Sequence, residues 1–155
     1  MTPIERCLAT WHEFLRGDRE ALDRALADDA VLHSPVLFTP QVGKELVKLY
    51  LTGASMSFGG DRETAGAPKR HPDGGEWDGR FRYVREVRGE RDAILEFETT
   101  MKGTYVNGVD MITCDDDGRI VDFKVMVRPL QAMEAVREMM MAALEQLKPP
   151  SSTPG

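Results

Sequence analysis

Residues 108–121 read GVDMITCDDDGRIV, and the spacing of their apolar side chains decides the fold. Alternate side chains of a strand point to the same face. Asp110, Ile112 and Cys114 therefore share one face. Asp115-Asp116-Asp117-Gly118 supplies a turn, after which Val121, Phe123, Val125 and Val127 continue the count by twos. Two such runs joined by a tight turn predict an antiparallel hairpin. They also set a puzzle, because an aspartate shares the face that favours burial.

Working outward, the period-two pattern extends back to Phe81. It predicts strands over Phe81–Val87, Ala93–Met101, Tyr105–Cys114 and Arg119–Val127, a four-stranded antiparallel meander. Before it the period changes to three and four. Thr2-Pro3-Ile4-Glu5 is a capping box with proline at the first helical position, followed by an apolar stripe of Ile4, Cys7, Leu8, Trp11, Phe14 and Leu15. Gly17 ends that helix, and Asp18 caps a second that carries Leu22, Ala25 and Leu26 and stops near Asp28-Asp29. A short strand follows over Val31–Ser34. A third helix starts near Gly43, with Leu46, Leu49 and Tyr50 on one face. Residues Gly59–Gly79 show no period and predict a flexible loop. Pro129 opens a final helix striped by Leu130, Met133, Val136, Met140, Leu144 and Leu147.

These elements predict one domain over residues 1–148 and a disordered tail at 149–155. Helices followed by a run of antiparallel strands define an α+β fold. The net charge of -6 disfavours nucleic acid and anionic membrane surfaces, since no Lys/Arg excess exists to meet phosphates. No apolar run approaches the ~20 residues of a membrane helix, and the N-terminal residues lack the pattern of a signal peptide. A cytoplasmic location is expected. Cys7 and Cys114 read most simply as reduced, buried thiols, with a disulfide left open.

The order of elements resembles the nuclear transport factor 2-like superfamily, in its SnoaL-like and ketosteroid-isomerase-like branch. The resemblance runs from Ile4 to Leu130. Its carriers are Phe14-Leu15-Arg16-Gly17-Asp18, Leu26-Ala27-Asp28-Asp29-Ala30-Val31, His33-Ser34-Pro35, Asn107-Gly108-Val109-Asp110-Met111-Ile112 and Asp117-Gly118-Arg119-Ile120. It implies a cone-shaped, curved antiparallel sheet wrapped around the N-terminal helices, with an extra C-terminal helix. In ketosteroid isomerase a carboxylate base, a tyrosine and a protonated aspartic acid surround the substrate. The resemblance puts the base position on Ser34, the tyrosine position on Thr10 and the donor acid on Asp110. Serine does not take a carbon-bound proton at neutral pH without a stronger base, which disfavours steroid isomerisation by that route.

Asp110 is accordingly the leading candidate, as a carboxyl group kept neutral in an apolar wall. His33 neighbours the vacant base position and titrates near neutral pH, and Tyr50 could extend a hydroxyl into the cavity. Trp11, Phe14, Ser34, Phe97, Thr99, Met101, Ile112, Phe123 and Val125 are the expected ligand-lining residues. Two functions compete: a cofactor-free acid/base enzyme on an apolar carbonyl, hydroxyl or epoxide compound, and a noncatalytic ligand-binding or dimeric scaffold protein. No metal is expected. The Asp115–Asp117 run lacks the closing glutamate of a calcium loop, and Arg16 stands where a zinc helix headed by His12 would need its second histidine. A homodimer is expected, through the outer sheet face or the methionine-rich last helix.

Overall fold

The computed structural model describes residues 1–58 and 69–147. Its elements run α1 (Pro3–Leu15), α2 (Arg19–Ala25), β1 (Leu26–His33), β2 (Gln41–Val42), α3 (Lys44–Ser57), β3 (Lys69–Arg70), β4 (Glu76–Trp77), β5 (Arg82–Arg88), β6 (Asp92–Met101), β7 (Thr104–Cys114), β8 (Ile120–Arg128) and α4 (Leu130–Leu147). Thr2 and Glu5 form the capping box reciprocally, and Asp18 caps α2 through the Glu20 and Ala21 amides. Of the expected loop, residues 59–68 lie outside the described residues, as does the expected tail at 149–155. Residues 69–77 instead hold the small antiparallel hairpin β3–β4.

The meander β5–β8 is antiparallel throughout, and the main sheet has the order β2-β1-β8-β7-β6-β5. Two features correct the expected cone-shaped antiparallel sheet. First, β1 runs parallel to β8, so the sheet is mixed. Second, the strand order ends at β2 and β5, so the sheet is open, neither closed nor strongly curled around the helices. Side-chain alternation fixes the faces of a strand but not its direction against a distant partner, which is why the sequence pattern left β1 unassigned in direction.

The chain enters β1 earlier than the helical period predicts. Leu26 is already extended and pairs with Ile120, and the register then shifts before Val31 meets Asp122. Asp28 and Asp29 are exposed within that irregularity, while Leu26, Ala30 and Leu32 remain buried. Tertiary pairing has overridden helix propensity there. In α3 the buried stripe falls on Val47 and Leu51, with Tyr50 at its edge and Leu46 exposed. In α4 it falls on Ala132, Ala135, Val136, Met140, Ala143 and Leu144, and Leu130 is exposed.

The core fills the space between the helices and one sheet face. Ile4, Cys7, Leu8, Trp11 and Phe14 of α1 pack with Leu95, Ile112 and Phe123. Phe97, Met101 and Val106 pack with Ala132, Val136 and Met140. Tyr50, Tyr83 and Val125 touch both groups. Cys7 and Cys114 are buried free thiols, and burial pushes Cys7 up to about 12. Among the described residues no helix is long and apolar enough to cross a membrane.

Candidate functional site

Asp110 sits in the middle of β7, opposite Leu95 of β6 and Val125 of β8, and is 7% exposed. A cavity of about 60 Å³ opens beside it. Trp11, Phe14 and Leu15 of α1 and Leu51, Ala54 and Ser55 of α3 form one side of that cavity. Tyr83, Phe97, Asp110, Phe123 and Val125 of the sheet form the other, with Phe58 and Phe81 at its ends. Leu15 and Ser55 are exposed, so the mouth lies between the C-terminal halves of α1 and α3.

Gly108, one alternation before Asp110, shapes this wall. A Cβ there would stand 2.5 Å from both the Met126 carbonyl oxygen and the Phe97 ring. Backbone on one side and a packed ring on the other leave no room to yield, so only glycine admits the ring beside Asp110.

The polar part of the wall is a short hydrogen-bonded chain. Trp11 Nε1 donates to the Tyr83 hydroxyl oxygen at 2.9 Å, and that hydroxyl donates to Asp110 Oδ2 at 2.6 Å. Burial pushes the Asp110 carboxyl up to about 7, against the opposing pull of the Tyr83 hydrogen bond. Burial, then the nearby Asp110, drive Tyr83 well above the usual phenol range, so the phenol keeps its proton. One neutral donor does not replace the water an ionised carboxylate loses. The carboxyl therefore exchanges its proton near neutral pH instead of near 4.

The sequence-derived candidates divide between the two sides of the sheet. Trp11, Phe14, Phe97, Phe123, Val125 and Asp110 line the cavity. Thr99, Met101 and Ile112 share the inner face but are buried beyond it; Thr99 Oγ1 donates to the Phe58 carbonyl at 2.9 Å. Tyr50 packs between the two core groups, away from the cavity lining. His33 alternates with the buried Leu32 and meets Asp122 Oδ1 at 3.0 Å on the outer face. Ser34 Oγ accepts the Val36 amide at 3.2 Å in the turn after β1, outside the cavity lining. His33, Ser34 and Tyr50, the other expected site residues, stand outside the lining of the Asp110 cavity: strand alternation turns His33 to the outer face, Ser34 lies in the turn after β1, and Tyr50 packs into the core. Tyr83, the group that does bond Asp110, went unnamed. Its signal was the alternation of Phe81 and Tyr83 into the face that Phe97 occupies, where Tyr83 pairs with Phe97.

Outside this cavity a second polar cluster forms on the opposite sheet face. Glu98, 5% exposed, accepts from Arg82 at 3.1 Å and bonds His71 Nε2 and the Tyr105 hydroxyl. His71 also pairs with Asp73 at 2.8 Å, and the Arg82 guanidinium lies 5.1 Å over the Trp77 ring. Among the described residues no group of three His, Cys, Asp or Glu side chains is placed to hold a metal ion.

An open α+β sheet with helices on one face, enclosing an apolar cavity with an acid in its wall, belongs to a recognisable class. A steroid delta-isomerase from Pseudomonas aeruginosa is 33% identical, with a TM-score of 0.78 over 95% of each chain. A protein with a cystatin-like fold from Silicibacter pomeroyi is 26% identical, with a TM-score of 0.69 over 88% of this chain and 83% of that one. A nuclear transport factor 2-like protein from Mesorhizobium loti, at 17% identity and a TM-score of 0.60 over 83% and 96%, shares the fold. No family model matches the sequence, and no curated protein does either. The chain belongs to the nuclear transport factor 2-like superfamily, and its kinship with the Pseudomonas protein places it in the ketosteroid-isomerase-like branch.

Proposed function

We propose that the protein binds a small apolar molecule in the cavity beside Asp110 and that the neutral Asp110 acid donates a hydrogen bond to an oxygen of that molecule. The observation that carries this reading is a buried carboxyl, pushed up to about 7, on the wall of an otherwise apolar cavity. An exposed aspartate is ionised at neutral pH and has no proton to donate. The ligand class is a carbonyl, hydroxyl or epoxide compound. Acid–base turnover of such a compound requires Asp110 to act as both donor and acceptor, because the other titratable group on the wall, Tyr83, keeps its proton. Binding without turnover is thus the simpler function, and acid-assisted chemistry at one oxygen is its extension, without a cofactor.

Kinship with a steroid isomerase raises a polycyclic ketone as ligand. Ligand pockets of that kind run to roughly 300 Å³ or more, against about 60 Å³ here. A steroid would need α1 and α3 to part at Leu15 and Ser55, whereas a monocyclic ketone needs far less opening. Titration with cyclohexanone, followed by NMR, tests the reading. Shifts should centre on the Trp11 indole and on Tyr83, and affinity should fall as pH rises through about 7 because the donor is lost. Shifts confined to the outer sheet face, or affinity indifferent to pH, would remove the basis for the proposal.

The outer face offers the partner surface. Val87, Ile94 and Met126 are exposed there beside Arg85, Glu96 and Arg128, around a groove of about 480 Å³. Apolar residues ringed by both signs of charge suit a second copy of the chain, and a homodimer over this face is part of the proposal. Sedimentation should give twice the 17.3 kDa mass, and Met126→Glu should return the monomer. The free buried thiols suit a reducing, cytoplasmic setting.

A further inference from the structure

Among the described residues, all the polar side-chain atoms on the cavity wall are committed, with one exception. Ser55 gives its hydroxyl proton to the Thr52 carbonyl at 2.7 Å. The Trp11 indole has a hydrogen and no acceptor, so the direction of its 2.9 Å bond to Tyr83 is fixed. The Tyr83 oxygen receives that hydrogen and must place its own. Asp110 Oδ2, at 2.6 Å, is its acceptor among the described residues. Were Asp110 instead to donate to Tyr83, the phenol hydrogen would be buried without a partner, at the full cost of its desolvation. Asp110 Oδ1 is the exception. It has no bonded partner among the described residues, yet Trp77 Nε1 is the buried side-chain polar atom that lacks one. Oδ1 therefore retains contact with the cavity that Asp110 lines.

We infer that Trp11 is a positioning residue: acting through Tyr83, it orders the protons so that Asp110 Oδ2 accepts and Oδ1 carries the acidic proton as, among the described residues, the one side-chain donor left to the cavity. The use of that donor rests on the ligand-binding function proposed above, but the proton order is a property of the free protein. It narrows the ligand class. One donor suits a neutral ketone, ether or epoxide oxygen. An enolate oxygen that demands two donors would have to pull the Tyr83 hydrogen away from Asp110. Once Oδ1 has lost its proton the wall becomes an acceptor, and alcohols and phenols replace ketones as the fitting ligands.

Carbon-13 titration of the Asp110 carboxyl in ligand-free wild type, Trp11→Phe, Tyr83→Phe and the double variant tests the proton order. Phenylalanine at position 11 keeps a ring in the core and removes the indole N–H. Tyr83 is then free to accept from the neutral acid, which gains stability, so the Asp110 midpoint rises. Tyr83→Phe removes the donor that favours the carboxylate, and the midpoint rises there too. The double variant should match Tyr83→Phe, because Trp11 acts only through the phenol. A midpoint in Trp11→Phe that stays or falls would overturn the inference, since lost packing that admits water stabilises the charged form. Additive shifts in the double variant would overturn it as well. Should Trp11→Phe fail to fold, the wild-type Trp11 indole resonance decides: it must shift with the Asp110 midpoint, and an indole blind to that titration refutes the coupling. Cyclohexanone that fails to bind while the cycle of variants behaves as described would end the ligand proposal and leave the proton order standing.

Discussion

Asp110 and Glu98 are two carboxyl groups buried on neighbouring strands of one sheet, facing opposite ways, and their chemistry diverges. Glu98 loses water to burial, but Tyr105, His71 and Arg82 supply hydrogen bonds and positive charge, and together they hold it below the usual carboxylate range. Asp110 loses its water and gains a single phenol, so burial wins and the group rises to about 7. The difference lies in the company each keeps rather than in depth. A carboxylate with three donors ties elements together, here the β3–β4 hairpin to β6 and β7. A carboxyl with one donor and an open oxygen is left reactive.

The sharpest way to break this contrast is pH. Asp110 has a folded pKa above its unfolded value, so the folded state holds the proton longer. Its stabilising contribution is full below about 3.9 and is lost as pH rises toward about 7. About three units at ~1.4 kcal/mol each put the loss on the order of 4 kcal/mol. Asp110→Asn should remove this slope and be more stable than wild type at pH 8 by up to that amount, in urea unfolding followed across pH. Parallel stability curves for the two proteins would show that Asp110 is ionised and well paired.

Glu98 carries the opposite slope, its contribution being present above the unfolded pKa and lost as pH falls through the folded one. Glu98→Gln leaves Arg82 and His71 facing a neutral amide and should cost about 2 kcal/mol at pH 7. A loss within experimental error would mean that the outer cluster is ornamental. Tyr83→Phe should cost about 1 kcal/mol at pH 8, where Asp110 is charged, and less at pH 5; equal losses at both would detach Tyr83 from the carboxyl. The smallest effect belongs to Ser34→Ala. It removes one half-buried turn bond, about 0.5 kcal/mol, and should leave cyclohexanone affinity unchanged. A fall in affinity would bring the aligned base position back into the site.

The inner face of the meander was legible because alternation is a local signal. Phe97, Thr99, Met101, Ile112 and Phe123, which alternation along the strands and the expected lining put on the inner face, are all buried. Asp110 stood out for the same reason, as the polar member of an apolar series. Its neighbours in space were another matter. Tyr83 reaches it only through two strand pairings, β5 to β6 and β6 to β7, whose registers depend on a bulge between Tyr83 and Arg85 that no residue pattern announces. His33 and Ser34 were drawn toward the site by alignment to a family position, although His33 alternates with Leu32 and must face away. The direction of β1 was hidden because it depends on how the helices return the chain to the sheet.

The parallel seam between β1 and β8 has a consequence for how the protein is made. Leu32 finds Phe123 about ninety residues later in the chain. On the ribosome, α1, α2 and β1 emerge first and then wait for almost the whole meander before the strand that completes their pairing exists. Until then Leu26, Ala30 and Leu32 offer a sticky edge to the cell. Contacts this distant slow folding, because the loop must close before it is rewarded. A nascent chain stalled before Ile120 should therefore be held by chaperones and cut readily by protease, whereas one stalled after Arg128 with β8 clear of the tunnel should resist.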